Sequence, residues 1–323
     1  MRWGDKAYYS LNFYLRQHFQ GKIAKISLDG GFSCPNRDGT LGKSGCIFCS
    51  PAGSGDFAGS RKKSISEQFY EVKKQMDDKW NPSGYIAYFQ AYTNTYAPLP
   101  LLQKKYEEAL SLPNVVGLAI ATRPDCLSEE VIEYLVELNK RTFLWVELGL
   151  QTIHETSAIQ IRRGYSLDCF YQAVQSLHQN HIATVSHLIF GLPYESRDEM
   201  LESVQYVAHL PLQGVKLHLL HILKHTDLGK QYEQRPFPLL SQSEYIDLIV
   251  DALELLSPTM VIHRMTGDGP KELLLAPTWS LQKRNVLNGI EKELKKRNSW
   301  QGKKYSPLSD NEFYYTMKGI GID

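Results

Sequence analysis

The sequence predicts an α/β protein built as a partial (β/α)6 TIM-like barrel with a C-terminal extension. Apolar runs rich in β-branched and aromatic residues alternate with segments of helical periodicity along most of the 323 residues. Polar residues suited to chemistry follow these runs, where the carboxyl ends of parallel strands would bring them together. The first such loop carries cysteines and lacks the glycine fingerprint of a dinucleotide-binding sheet, which favours the partial barrel over a doubly wound sheet.

Seven apolar runs and six amphipathic segments define the predicted elements. The predicted strands cover 22–28, 84–90, 115–121, 143–150, 183–190, 214–220 and 259–263. The predicted helices cover 64–80, 99–111, 128–140, 166–180, 197–209 and 242–256. Ser128 and Ser241 provide helix-start signals, the latter with Glu244 at the spacing of a capping box. Strand–helix repetition of this kind predicts a parallel sheet with right-handed crossovers.

The chain is predicted to have one catalytic core and one appended segment. The core covers residues 1–265 and includes a cysteine loop at 30–58. Residues 266–323 leave the strand–helix pattern and are predicted to form a helical, basic extension packed on the barrel.

Composition bounds the partners and the location. Hydrophobic residues make up 42% and charged residues 22% of the chain, and no apolar run of about 18 residues could span a membrane. The N-terminus lacks the apolar region of a secretory signal, so we expect a cytoplasmic protein without a membrane partner. A net charge of +1 gives no overall nucleic-acid signature, so an RNA partner must be argued from local patches.

Three of the five cysteines form a spaced motif, C-x11-C-x2-C, at Cys34, Cys46 and Cys49. An odd cysteine count in a reducing compartment argues against a disulfide framework. Thiolates select zinc, copper(I) or iron–sulfur clusters. A structural zinc site takes four ligands. The two remaining cysteines, Cys126 and Cys169, lie in other strand–helix units and do not extend the motif. Three thiolates could hold a four-iron cluster with one iron open; a zinc site completed by histidine and unreactive buried cysteines are the alternatives.

This motif, with the aromatic Phe48 before its last cysteine and several ordered segments over 20–265, resembles the radical S-adenosylmethionine (SAM) enzymes. Within them it is similar to the branch of the elongator catalytic subunit and the bacterial YtqA/YhcC-type proteins. The compact family motif is C-x3-C-x2-C, and the longer first gap suits the elongator-like branch. The resemblance implies a [4Fe-4S] cluster and SAM as cofactors, an electron donor of flavodoxin or ferredoxin type, and chemistry by a 5′-deoxyadenosyl radical.

The same resemblance implies which strand-end residues hold SAM. Segment 88–98 is similar to the family segment that holds the methionine amino group, and 187–196 to the one that lines the adenosine. Arg163 matches the arginine that pairs with the methionine carboxylate, with Arg162 as the alternative partner. A polar turn at 88–98, a solvated arginine and a core histidine at His187 are the structural alternatives. The implied contacts are Phe48, Gln90, Tyr92, Thr93, Asn94, Thr122, Glu147, Gln151, Arg163, His187 and Gly191.

The candidate substrate-binding residues lie at the ends of the sixth and seventh predicted strands. His218 and His221 lie at the end of the predicted sixth strand. They could contact the substrate, bind a second metal or simply face solvent. Arg264 precedes a Gly-Asp-Gly turn that could receive an anion at a helix N-terminus.

A basic segment in the extension is the local candidate for RNA binding. Residues 281–305 carry eight basic and two acidic residues, so 8 − 2 gives a local charge of +6, and Trp300 and Tyr305 interleave. Such a segment can hold phosphates and stack a base, or it can be an ordinary solvated helix face. The predicted RNA contacts are Lys295, Lys296 and Arg297.

The resemblance implies a tRNA-modifying enzyme. YtqA-type proteins are associated with maturation of the wobble uridine, in which a carboxymethylaminomethyl group becomes aminomethyl before a tRNA methyltransferase acts. A radical SAM enzyme acting on a small metabolite or tetrapyrrole, and a non-catalytic zinc-stabilised RNA-binding module, are the alternative functions.

Overall fold

The fold is a curled seven-stranded parallel sheet with helices on its outer face. A computed structural model describes residues 2–308. The strands are β1 (Ile23–Leu28), β2 (Gly84–Phe89), β3 (Val115–Thr122), β4 (Phe143–Gln151), β5 (Ala183–Phe190), β6 (Gly214–Leu219), β7 (Ile222–Leu223), β8 (Val261–Arg264) and β9 (Leu274–Ala276). The main sheet has the order β1-β2-β3-β4-β5-β6-β8 with every neighbouring pair parallel, and β7 pairs with β9 in a short antiparallel ribbon. This half-barrel confirms the predicted α/β fold class and all seven predicted strands.

Helices connect the strands and cover the outer face. They are α1 (Leu11–His18), α2 (Ile65–Trp80), α3 (Leu99–Leu110), α4 (Glu129–Asn139), α5 (Glu155–Gln160), α6 (Leu167–Gln179), α7 (Arg197–Ala208), α8 (Asp227–Gln234), α9 (Gln242–Leu255) and α10 (Lys283–Lys296). Ser128 caps α4, and Ser241 with Glu244 forms a capping box on α9, as the sequence predicts. Within residues 2–308, no helix is long and apolar enough to cross a membrane.

The two faces of the sheet bury different cores. The outer face packs against the helices through large aromatic side chains that are almost fully buried: Phe69, Tyr106, Phe170 and Tyr245. The concave face is apolar only near the amino ends of the strands, where Trp145, Ile86 and Val185 pack with Leu15 of α1. Helix α1 therefore closes the bottom of the half-barrel, and the upper part of the concave face stays open to polar residues.

The C-terminal extension contributes to both the outside and the top of the core. Helix α10 packs against α9, and Gln301 donates to the carbonyls of Ser257 and Met260. Strand β9 pairs with β7 above the carboxyl ends of the main strands. The last residues assigned to the extension, 309–323, lie outside the described part of the chain.

Candidate active site

A cavity of about 290 Å³ opens on the concave face of the sheet at the carboxyl ends of the strands. All three motif cysteines line it, together with residues from every strand from β2 to β6 and from β8. The parallel sheet brings these residues together from positions up to about two hundred apart, as expected for a barrel in which strand ends and loops build the site.

The cysteine loop folds back on itself so that its first and second cysteines meet. The Cys34 carbonyl accepts from the Arg37 N–H at 2.8 Å, and the Pro35 carbonyl accepts from Leu41 at 2.9 Å. The Asn36 carbonyl then accepts from the Gly45 N–H at 2.7 Å. These turns fold most of the eleven residues between Cys34 and Cys46 into a compact loop. The three cysteines therefore line one cavity despite the long spacing.

Asn36 ties this loop to the barrel, and Arg37 ties the loop to itself. The Asn36 amide donates to the Arg162 carbonyl at 2.8 Å and the Arg163 carbonyl at 3.1 Å, and it lies 3.5 Å from the Cys46 Sγ. The Arg37 guanidinium donates to the carbonyl of Cys49 at 3.0 Å. Gly45 has φ +74°, and a Cβ there would lie 2.8 Å from the Arg37 Nε, so this turn requires glycine.

The thiols fit a metal cluster better than a single metal ion. Within residues 2–308, no three His, Cys, Asp or Glu side chains converge as the ligands of one ion would. Burial raises the pKa of the Cys46 thiol to about 12, and the charges of Cys49 and Cys34 raise it further. The three cysteines line one cavity, and soft sulfur ligands suit iron–sulfur clusters. Cys34, Cys46 and Cys49 are therefore the residues that could hold a [4Fe-4S] cluster.

Arg123 and Tyr165 complete the wall beside the cysteines, and sequence reasoning missed both. The Arg123 guanidinium pairs with Asp125 at 2.6 Å and donates to the Arg163 carbonyl at 2.9 Å. It also lies 4.8 Å above the Tyr165 ring. The ATRPD segment pointed to Asp125 rather than to its arginine, and nothing in the sequence links Tyr165 to the cavity.

Most of the residues predicted to contact SAM line the same cavity: Phe48, Gln90, Tyr92, Thr93, Thr122, Glu147, Gln151, Arg163 and His187. The Gln90 amide donates to the Ser54 carbonyl at 2.9 Å, which joins the end of β2 to the cysteine loop. Tyr92 and Gln151 have φ values of +61° and +66°, a left-handed conformation that costs non-glycine residues energy and clusters at functional sites.

Two of the predicted SAM contacts lie outside the cavity wall, and a third, inside the wall, is already hydrogen-bonded to the protein. Asn94 is fully buried outside the cavity wall, where its amide donates to the carbonyls of Phe89 and Ala121 and so joins β2 to β3. Gly191 also lies outside the wall.

Arg163 is the third, because its guanidinium is already engaged. It donates to the carbonyls of Tyr165 at 2.9 Å, Thr152 at 2.7 Å and Leu150 at 3.3 Å, and to Glu155 at 2.8 Å. Four of its five N–H groups are used and the residue is 1% exposed, so Arg163 braces the α5 connection instead of presenting a fork to a carboxylate.

A buried carboxylate network forms the floor of the cavity. The Glu147 carboxylate accepts from Tyr88 at 2.7 Å, Trp145 at 2.9 Å and His187 at 2.9 Å, and it pairs with Lys216. Burial raises the pKa of Glu147, but the charges of Lys216 and Lys25 and the His187 hydrogen bond outweigh that effect and hold this pKa well below its usual value.

Lys25 and Lys216 were missed by sequence reasoning, although a signal was available. Each is a charged residue inside a short apolar strand, and such a residue either faces solvent or serves a polar site. Lys25 lies 4.8 Å from the Tyr88 ring centroid, and burial lowers its pKa. Lys216 is 1% exposed and neighbours His187 across the β5–β6 ladder.

The substrate candidates His218, His221 and Arg264 also line the cavity, at the side formed by β6 and β8. Burial lowers the pKa of His221 to about 4 and holds that of His218 well below its usual value, so both imidazoles are neutral at pH 7.

The RNA candidates on α10 lie away from the cavity. Lys295 and Lys296 are at the C-terminal end of α10, about 20 Å along the helix from Lys283, which pairs with Asp268 of the cavity wall. Arg297 pairs with Asp247, Asp251 and Glu293, each at 2.8 Å. The Arg297 guanidinium therefore joins α10 to α9.

The sequence matches known protein families over most of its length. Residues 34–207 match the Radical SAM superfamily, and residues 212–296 match the Radical_SAM C-terminal domain. YtqA of Bacillus subtilis (strain 168) is 52% identical over 306 residues, which are 95% of each chain. The tRNA uridine(34) acetyltransferase of Methanocaldococcus infernus is 24% identical over 185 residues, which are 56% of this chain and 34% of that protein.

Solved structures agree on the architecture. The archaeal Methanocaldococcus infernus Elp3, with an N-terminal deletion, superposes with a TM-score of 0.65 at 18% identity over 86% of this chain and 64% of that chain. The chain belongs to the radical SAM superfamily.

Proposed function

We propose that this chain holds a [4Fe-4S] cluster and SAM and modifies a uridine side chain of tRNA. The observation that carries the proposal is that Cys34, Cys46 and Cys49 line one cavity at the carboxyl ends of the strands of a half-barrel. Three cysteine ligands leave one iron of a four-iron cluster open to SAM. When bound, the cluster and SAM supply a 5′-deoxyadenosyl radical, which abstracts hydrogen from a neighbouring carbon.

The residues of this chain position and enclose those groups. Asn36 and Arg37 hold the cysteine loop in its folded form. Phe48, between Cys46 and Cys49 in the sequence, packs against the apolar cluster that contains Ile47 and Leu228. Gln90 and Gln151 present amides to the cavity. Their proposed role is orientation of SAM, because a radical attacks the carbon placed beside it and placement decides the product.

The proposed tRNA substrate must bring a single nucleobase to the cavity. About 290 Å³ does not admit a duplex, so a base must be turned out of its stack, as unpaired anticodon bases readily are. The similarity to a tRNA uridine(34) acetyltransferase supports the wobble uridine. The proposed step removes the carboxymethyl group of carboxymethylaminomethyluridine. Abstraction of a hydrogen atom from the carbon next to the carboxylate, followed by loss of a proton and of one electron to the flavodoxin- or ferredoxin-type carrier, gives an imine, and water hydrolyses this imine to aminomethyluridine and glyoxylate. The proposed partners are tRNA, a flavodoxin- or ferredoxin-type electron donor and a tRNA methyltransferase that acts on the product.

The test uses the reconstituted full chain with reductant, SAM and tRNA that carries 5-carboxymethylaminomethyluridine. Nucleoside mass spectrometry is expected to detect aminomethyluridine with the wild type and with Cys169→Ala, whose thiol lies outside the cavity wall. Cys46→Ala is expected to form none. Unchanged tRNA with the wild type, despite cleavage of SAM, would reject the tRNA step and favour a small metabolite.

A further inference from the structure

Arg264 is a charged side chain in the cavity with nothing to pair with. Within residues 2–308 its guanidinium makes no hydrogen bond, ion pair or contact with an aromatic face, although the residue is only partly exposed and lines the cavity. An arginine stays charged under all ordinary conditions, so its five donors await acceptors. By contrast, Arg123 and Arg163 of the same wall are both hydrogen-bonded to protein oxygens.

The backbone places Arg264 in the cavity by an irregularity in β8. Val215 pairs with Ile262, but Lys216 pairs with Arg264, so His263 is an extra residue in the ladder. The His263 ring lies 5.4 Å from Trp145 of the concave face. In a regular strand, successive side chains point to opposite faces of the sheet, so Arg264 and His263 would lie on opposite faces. The irregularity therefore turns both side chains inward.

The charges of this part of the cavity do not balance. Lys25, Lys216 and Arg264 are near one another and near one buried carboxylate, Glu147. Asp268, the other carboxylate in this part of the wall, pairs with Lys283. Burial and the neighbouring cations lower the pKa of Lys25 and of Lys216, and Glu147 does not fully offset this, so a further negative charge would be stabilised here.

Two imidazoles beside Arg264 also lack partners. The Nε2 atoms of His218 and His221 are buried with no hydrogen-bond partner within residues 2–308. Gly267 and Gly269 lie against the His221 ring. A Cβ on Gly267 would lie 3.5 Å from this ring, and a Cβ on Gly269 would lie 3.3 Å from it. Buried polar atoms in native proteins are almost always satisfied, so unsatisfied ones at a cavity mark the place of a ligand.

We propose that Arg264, Lys216, His218 and His221 form a subsite for a carboxylate of the substrate. This inference rests on the proposed function, in which the uridine side chain ends in a carboxylate. The subsite lies at the side of the cavity formed by β6 and β8, so a base that enters the cavity can bring its substituent to these residues. Arg264 and Lys216 offset the carboxylate charge, and the neutral imidazoles offer N–H groups to its oxygens.

The test measures binding of three probes to the reconstituted full chain by calorimetry. The probes are 5-carboxymethylaminomethyluridine, 5-aminomethyluridine and uridine 5′-monophosphate. We expect the wild type to bind the carboxylate-bearing nucleoside at least about tenfold more tightly than the aminomethyl one, as charge-assisted hydrogen bonds imply. Arg264→Gln is expected to reduce this ratio below about threefold. Lys271→Gln, an exposed change in the same loop and outside the cavity wall, is expected to keep it.

Several results would overturn the assignment. For the wild type, these results are equal binding of the two nucleosides or no binding of either. For Arg264→Gln, they are a ratio of the two nucleoside affinities equal to that of the wild type, or weaker binding of uridine 5′-monophosphate alone. A loss of SAM binding in Arg264→Gln would also overturn it, because Arg264 would then serve the cofactor. Failure of the proposed function is read separately, as the absence of 5′-deoxyadenosine with the wild type.

Stability gives a second readout that needs no substrate. Because Arg264 has no partner among residues 2–308, Arg264→Gln is expected to leave the thermal midpoint of the SAM-free protein unchanged or higher. A clear fall in the midpoint would show that Arg264 supports the fold, and the subsite would be rejected.

Discussion

Replacing Glu147 by glutamine tests the buried network at the cavity floor. Glu147 is fully buried and faces Lys216 and Lys25, so Glu147→Gln leaves two buried amines without a counter-charge. Removing one partner of a buried ion pair destabilises proteins by about 3–5 kcal/mol. Urea unfolding of the full chain is expected to show a loss of this size. Adding Lys216→Met to Glu147→Gln should recover part of it, because only Lys25 then remains and burial already lowers its pKa.

The control and the pH dependence sharpen this test. Glu137→Gln removes an exposed pair with Lys140 and is expected to cost less than about 0.5 kcal/mol. The pKa of Glu147 is depressed in the folded state, so its stabilisation is complete above the unfolded pKa, near about 4.3, and is lost as pH falls toward the folded value. A loss below about 1 kcal/mol for Glu147→Gln, or a double variant less stable than the single one, would refute the reasoning.

Two further predictions concern the cysteine loop and the basic helix. Asn36→Ala removes the bonds to the carbonyls of Arg162 and Arg163, so we expect a loss of about 1–3 kcal/mol and lower iron content after reconstitution; unchanged iron content would contradict the role of Asn36. Lys295→Gln with Lys296→Gln should weaken tRNA binding and reduce its salt dependence without changing stability, measured by filter binding at several salt concentrations. Arg297→Gln should instead destabilise the fold by about 1 kcal/mol, and equal stability of both variants would contradict this division.

The parallel core could be predicted because its signals are local. A strand buried on both faces, such as β2, reads as a continuous apolar run, and caps such as Ser241 mark helix starts. Helix α1 and the β7–β9 ribbon were not predicted. Helix α1 is short and mixes charges with aromatics, and its apolar partners on β2, β4 and β5 are distant in sequence. The ribbon depends on a pairing over about fifty residues that no local pattern specifies.

The candidate site could be predicted where the residue type restricts the chemistry. It could not be predicted where the role of a residue depends on a neighbour in the fold. Cysteine has few uses in clusters, so the ligand set could be named from spacing. Arginine has many uses: Arg163 and Arg297 were assigned to ligands, but both are engaged by protein oxygens that only the fold brings near. Asn94 likewise has partners that only the fold brings near, the backbone ends of β2 and β3.

The central claim is that Cys34, Cys46 and Cys49 hold a cluster whose open iron receives SAM. The most direct measurement is chromatography of 5′-deoxyadenosine after anaerobic reconstitution with iron and sulfide, followed by dithionite and SAM. We expect 5′-deoxyadenosine from the wild type and from Cys169→Ala, and none from Cys34→Ala, Cys46→Ala or Cys49→Ala. A colourless wild type that binds one zinc ion and leaves SAM intact would contradict the claim.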